Sequence, residues 1–205
     1  MHISWLGNSA IRLQCKPDSD DVIVVIDPYK PDTGVFPRSL SPQIALYTRG
    51  TDGSIILSGE PFILETPGEC ETKGILMTAV QGHSDHHIMV RIDAEQLRIG
   101  HLGMTDKPLT DAQLEVLSDV DILFVPVGGA GCYNADGATK AITAIEPRIV
   151  IPMCYQSDTD PKAGSVDSFL KEMGAANGTP EKKFIIKKKD LPVEETRVVV
   201  IAKES

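Results

Sequence analysis

The side chains able to do chemistry cluster in a few short stretches. Gly82–His87 reads GHSDHH and supplies three imidazoles, His83, His86 and His87, around one carboxylate, Asp85. IGHLGMTD places His101 and Asp106 five residues apart, and RIVIPMCY ends with Cys154 beside Tyr155. Imidazole, carboxylate and thiolate are the donors that hold zinc and similar divalent ions. Three of them converging would make a mononuclear metal site able to activate water for hydrolysis. The plainer reading of Gly82–His87 is a polar turn that leads into a strand, and of Cys154 a buried small apolar residue. Other chemistries find less support. No Gly-x-Ser-x-Gly elbow occurs. The Gly128-Gly129-Ala130-Gly131 run lacks the spacing of a phosphate-binding loop and reads as a tight strand-to-helix connection, with Asn134 as the helix N-cap. Cys15, Cys70, Cys132 and Cys154 form no Cys-x-x-Cys pair and do not resemble the framework of a small disulfide-rich secreted domain.

The elements that must position these residues follow from hydrophobic period. HISWL, IRLQC and VIVVIDP read as an opening meander, with Asp27–Pro28 ending the third strand. Residues 29–43 read as a loop. IALYT, IILSG and FILE are short strands, Pro67–Gly74 is a turn, and ILMTAV, IMVRID and QLRIG continue as strands. Helical patterns span Leu109–Leu117, Asn134–Ile145 and Val166–Met173, the last closed by Gly174. Between them DILFVPVGG and RIVIPMCY are buried strands, and FIIKK and TRVVVIA end the chain. A run of strands followed by alternating strand and helix suggests two packed sheets with helices outside, in one domain over residues 1–205.

Composition narrows the partners. The formal charge of −9 disfavours nucleic acid and anionic membrane. The lysines at 182–183 and 187–189 read as a solvated strand face and turn. The first residues lack the basic and apolar regions of a signal peptide, and no apolar run reaches a membrane span, so a cytoplasmic protein with reduced thiols is expected.

The ordered set WLGNSAIRL, VIDPY, PGECETKG, IGHLGMT, VDILFVPVGG and EPRIVIPMCY resembles the metallo-β-lactamase superfamily. The branch is that of small metal-dependent hydrolases that includes ascorbate-6-phosphate lactonase-like proteins. The resemblance covers nearly the whole chain and implies a mixed α/β fold, the four-layer αββα sandwich. It also implies a His-x-His-x-Asp-His motif after IALYT, where this chain has Arg49, Thr51, Gly53 and Ser54. Asn8 stands for the histidine of Gly-His-Ser, Met104 for the aspartate after His-Leu-Gly, and Cys154 for the histidine of Pro-Met-His-Tyr. His83 and His101 keep the family's residue type, and Asp27 matches the aspartate that buttresses its metal site. Asp106 is a distant substitute for the missing bridging aspartate.

Two functions follow. In the first the metal site is eroded: the protein is a pseudoenzyme, binding a small molecule or a protein partner without hydrolysis and with no cofactor expected. In the second it is a hydrolase of a small ester, lactone or phosphoester, with zinc or another divalent metal on His83, His86 or His87, His101 and either Cys154 or Asp85. Neither expects nucleic acid or membrane as partner, and both are compatible with a homo-oligomer.

Overall fold

The computed structural model describes residues 1–37, 39–175 and 180–204. Two sheets pack face to face. The first has six strands: β1 (His2–Gly7), β2 (Ala10–Cys15), β3 (Val22–Ile26), β4 (Ile44–Leu46), β5 (Phe62–Leu64) and β12 (Phe184–Ile185), in the spatial order β12-β1-β2-β3-β4-β5. The second has seven: β6 (Gly68–Thr72), β7 (Ile75–Gln81), β8 (Ile88–Ala94), β9 (Leu97–His101), β10 (Ile122–Pro126), β11 (Ile149–Met153) and β13 (Arg197–Val198), in the order β13-β11-β10-β9-β8-β7-β6. Three helices, α1 (Asp111–Leu117), α2 (Ala135–Ile145) and α3 (Asp167–Glu172), complete the described elements. The mixed α/β class and the paired sheets expected from the sequence are both present.

Burial explains the two kinds of strand. In β10 and β11 every residue is buried. Their parallel pairing runs Ile122 to Ile149 through Pro126 to Met153. Covered on one face by the other sheet and on the other by helices, they have no wet face, so the sequence shows continuous apolar runs. In β2 and β3 the two faces serve different cores. Ile11, Leu13, Val24 and Ile26 point into the main core between the sheets. Leu6, Ala10 and Val25 point outward into a smaller cluster, which Phe36 and Leu40 complete and against which Ile55 and Leu57 pack. Loop side chains therefore contribute to the outer face of the first sheet, while α1 packs on β7 and β8 and α2 on β10.

The helix ends follow their sequence signals. Asn134 caps α2 by accepting the Gly137 N–H at 2.8 Å. Thr110 and Gln113 form a reciprocal capping box at the start of α1. Gly174 follows α3 at φ +67°, where only a residue free of a Cβ is unstrained.

Three local expectations need correction. Pro67–Gly74 is not all turn: Gly68–Thr72 is edge strand β6, paired antiparallel with β7. Its glutamates hide the apolar alternation, and polar residues of this kind discourage edge-to-edge association. The actual turn is Lys73–Gly74, with both φ positive, as a two-residue hairpin requires. Ile55–Gly59 is not a strand. Its backbone is tied to loops, Ile55 N–H to Pro28 O and Ser58 N–H to Leu40 O, and Ile56 is 93% exposed. Lys188–Asp190 forms a short 3₁₀ turn, and Lys188 pairs with the carboxylate of Asp121 at 2.8 Å instead of facing only solvent.

Phe124 is fully buried at the centre of β10. Phe124→Ala is expected to lower unfolding free energy by about 3–5 kcal/mol in denaturant titration. Ile56→Ser, at an exposed site, should change it by less than about 0.5 kcal/mol.

Candidate functional site

One end of the sandwich gathers strand ends from both sheets. The turn after β1 carries Asn8 at φ +47°, a conformation Asn tolerates. Asp27 follows β3, also at φ +47°, and is nearly fully buried. Its two carboxylate oxygens accept the backbone N–H and the hydroxyl of Thr48, each at 2.6 Å. His101 ends β9 with no exposed surface. Its Nε2–H donates to Ser9 O at 3.0 Å and its Nδ1 accepts the Gly103 N–H at 3.1 Å. That pair of bonds defines a neutral imidazole with the proton on Nε2. Burial lowers its pKa most strongly and the Arg49 charge adds to this, against the Asp27 carboxylate and the Ser9 bond, which raise it.

Arg49 enters the same space. Its Nη1 donates to Met104 Sδ at 2.7 Å and its Nη2 to Asn8 Oδ1 at 3.5 Å. Among the described residues Arg49 has no carboxylate within salt-bridge distance. It borders two open clefts. One, of about 290 Å³, is lined by Asp27, Tyr29, Lys30, Gly53 and Ser54 among others. The second, of about 360 Å³, is lined by Thr51, Asp52, Glu65, Asp85, His86 and His87 among others. Beyond Asn8 lies Cys154, fully buried at φ +64°; its N–H donates to Asn8 O at 2.9 Å and its thiol reaches Asn8 Oδ1 at 3.9 Å. Cys132, from the glycine-rich turn after β10, lies beside Cys154: a Cβ placed at Gly129 would stand 3.1 Å from Cys132 Sγ and 3.8 Å from Cys154 Cβ.

The structure thus brings together Asn8, Asp27, Arg49, His101, Met104 and Cys154. It does not unite the donors of the relocated metal site. Asp85, His86 and His87 line the second cleft, while His83 is influenced by Lys107 and Asp106. His101 is turned inward onto backbone. Among the described residues no group of three or more His, Cys, Asp or Glu side chains is placed to hold a metal ion. Asp106 is exposed and lines a separate cleft with Pro108, Leu109 and Tyr133.

A divalent ion does not fit the residues at the strand ends as they stand. Both Asp27 oxygens and both His101 nitrogens are engaged, and Arg49 adds a fixed positive charge. A doubly charged ion about 4 Å from that guanidinium would meet a repulsion of about 8 kcal/mol at an effective dielectric of 20. Cys132 and Thr48 were not singled out from the sequence as site residues. Cys132 lies in the glycine run already recognised as a loop, but its contact with Cys154 is purely tertiary.

Two tests follow. Asp27→Ala leaves the buried Thr48 N–H and hydroxyl without their acceptor and puts Ala at a left-handed φ. A loss of about 2–3 kcal/mol is expected in urea unfolding. For His101 the folded pKa lies below the unfolded value near 6.5, so the unfolded chain takes up the proton first. Its contribution to stability is complete above about pH 6.5 and is lost as pH falls toward the depressed folded pKa. Wild type should lose more stability than His101→Gln between pH 7 and 5, measured by chemical denaturation at each pH; equal slopes would refute the assignment.

Known proteins share this fold. The chain superposes on a protein from Thermotoga maritima provisionally described as a Zn-dependent hydrolase of the metallo-β-lactamase superfamily, with a TM-score of 0.81 and 23% identity over 98% of this chain and 100% of that one. A metallo hydrolase from Ignicoccus hospitalis, Igni18, follows at TM-score 0.61 and 15% identity, over 91% of this chain and 99% of that one. In sequence, a UPF0173 metal-dependent hydrolase of Methanopyrus kandleri is 23% identical over 197 residues, covering 76% of this chain and 84% of that protein. A UPF0173 protein of Pyrococcus furiosus is 36% identical over 78 residues, 37% of this chain and only 34% of that protein. Residues 2–154 match the family described as the beta-lactamase superfamily domain, so the chain belongs to the metallo-β-lactamase superfamily.

Proposed function

We propose that this chain uses the superfamily's strand-end cleft to bind a small anionic ligand and does not run the metal-assisted hydrolysis named for its relatives. The observation that carries this reading is Arg49: a half-buried guanidinium, held by Met104 and Asn8, with no carboxylate partner among the described residues. A partly desolvated cation that faces a cleft favours an anion there, and the planar guanidinium suits carboxylate or phosphate. Lys30 on the same cleft adds a second positive charge, beside the carboxylates of Asp27 and Asp52. Gly53 and Ser54, where the family motif would supply ligands, here form part of the cleft wall.

The second reading is a hydrolase of a small ester, lactone or phosphoester with an altered metal-ligand set. The comparisons favour it over the first, because the full-length relatives are named metal-dependent hydrolases. It requires His83, His86 or His87, His101 and either Cys154 or Asp85 to leave their present partners and converge.

Untagged protein taken through mild chelation separates the two. The first reading expects metal well below one equivalent by elemental mass spectrometry. It also expects stabilisation by inorganic phosphate or a short dicarboxylate, about 2.7 kcal/mol at a hundredfold excess over Kd, and loss of that stabilisation in Arg49→Gln. Near-stoichiometric zinc, manganese or iron, together with ester or lactone hydrolysis that chelator abolishes, would replace it with the second.

A further inference from the structure

Cys132 and Cys154 are 22 positions apart in sequence, yet both lie against Gly129. β10 and β11 are parallel neighbours whose ends are in register, with Val127 N–H bonded to Met153 O at 2.8 Å. Cys154 follows β11 directly. Cys132 returns to the end of β10 through the turn at residues 128–131, which is closed by its own N–H on Gly129 O at 3.2 Å and by the Val127–Tyr133 bridge. Gly129 makes the approach possible. A Cβ there would stand 3.1 Å from Cys132 Sγ and 3.8 Å from Cys154 Cβ, so a side chain at 129 would crowd the two cysteines. The Arg49 charge acts on both thiols.

We propose that Cys132 and Cys154 are a redox-active dithiol that hydroperoxides oxidise reversibly to a disulfide, with Cys132 attacking and Cys154 resolving. The roles follow from the environments. Cys154 is fully buried, and Cys132 is 8% exposed at the turn. The other two cysteines differ. Burial and the Glu95 carboxylate push Cys15 up to about 12, and burial and Glu69 raise Cys70.

The chemistry balances with a hydroperoxide as oxidant. The Cys132 thiolate attacks the peroxide, the O–O bond breaks, and the leaving alkoxide or hydroxide takes up a proton. Cys132 is left as a sulfenic acid. Cys154 sulfur then attacks Cys132 sulfur, the S–S bond forms, and the sulfenic oxygen leaves as water with the Cys154 proton. In sum, two thiols lose two hydrogens and one hydroperoxide becomes an alcohol, or water, plus water. Reduction by an external dithiol reverses the oxidation. The disulfide would link the first turn after β10 to the end of β11, beside Asn8 and Arg49, and so alter the same cleft. The inference does not depend on an anion being bound at Arg49.

The test is a hydrogen peroxide titration of the reduced full chain, with thiol counting and peptide mapping by mass spectrometry. A Cys132–Cys154 linked peptide is expected, cleaved by dithiothreitol, while Cys15 and Cys70 remain thiols. In Cys154→Ser, dimedone should label Cys132, and Arg49→Gln should slow oxidation of the pair. Oxidation first at Cys70, or of Cys132 without the linked peptide, overturns the proposal. The wild-type map alone decides if Cys154→Ser fails to fold. Phosphate-dependent stabilisation of the same sample reports on the anion site separately.

Discussion

Three hydrogen bonds across one end of the sandwich hold the rest of the site in place. His101, at the end of β9 in the second sheet, donates to Ser9 O in the first. Cys154, at the end of β11, donates its N–H to Asn8 O. Ile88, at the start of β8, donates its N–H to Thr48 O. Each joins a strand end of one sheet to a turn of the other, where hydrophobic packing alone would leave the backbone groups of both unpaired. Buried donors and acceptors left unpaired cost about 1–3 kcal/mol each, so these ties fix how the two sheets meet at their loop end.

This network gives the site a defined shape. Asp27 keeps its place by accepting both Thr48 donors, and Thr48 in turn accepts from Ile88. His101 acts as a two-ended tie, which uses both ring nitrogens and keeps the imidazole neutral. Arg49 extends into the space between these ties, where its charge reaches His101, Cys132 and Cys154. Membership of the metallo-β-lactamase superfamily is thus compatible with a centre whose internal cation is a guanidinium. Names of relatives and the residues of this centre weigh in different directions on function. The names give relatives 23–24% identical to this chain a metal-dependent hydrolase activity, whereas the residues set what this cleft can bind.

The helices and loops serve this end of the molecule unequally. α1 packs on β7 and β8 of the second sheet and α2 on β10. No helix longer and more apolar than these occurs among the described residues, and none is suited to cross a membrane. On the first sheet, Phe36, Leu40, Ile55 and Leu57 close the smaller apolar cluster. The same loop region carries Lys30, Gly53 and Ser54 on one wall of the Arg49 cleft, so outer packing and cleft shape are linked.

What the sequence determined by itself was whatever depends on local pattern. The continuous apolar runs of β10 and β11 announce strands buried on both faces, Asn134 and Gly174 announce helix ends, and the order of strands and helices announces two packed layers. Edge strand β6 is not legible in the sequence because its exposed glutamates obscure the apolar alternation. The residue types at Arg49, Thr51, Gly53, Ser54, Met104 and Cys154 are equally legible, because they are a matter of identity. Tertiary structure alone decided which side chains meet. The histidine-rich turn at residues 83–87 looked like a ligand cluster, yet His83 lies near Lys107 and Asp106, Asp85 and His86 line another cleft, and His101 faces backbone. Cys132 looked like part of a glycine loop, yet it lies against Cys154. Spacing along the chain sets neighbours within a helix or strand; contacts between the ends of different strands depend on sheet register and packing, which no local pattern encodes.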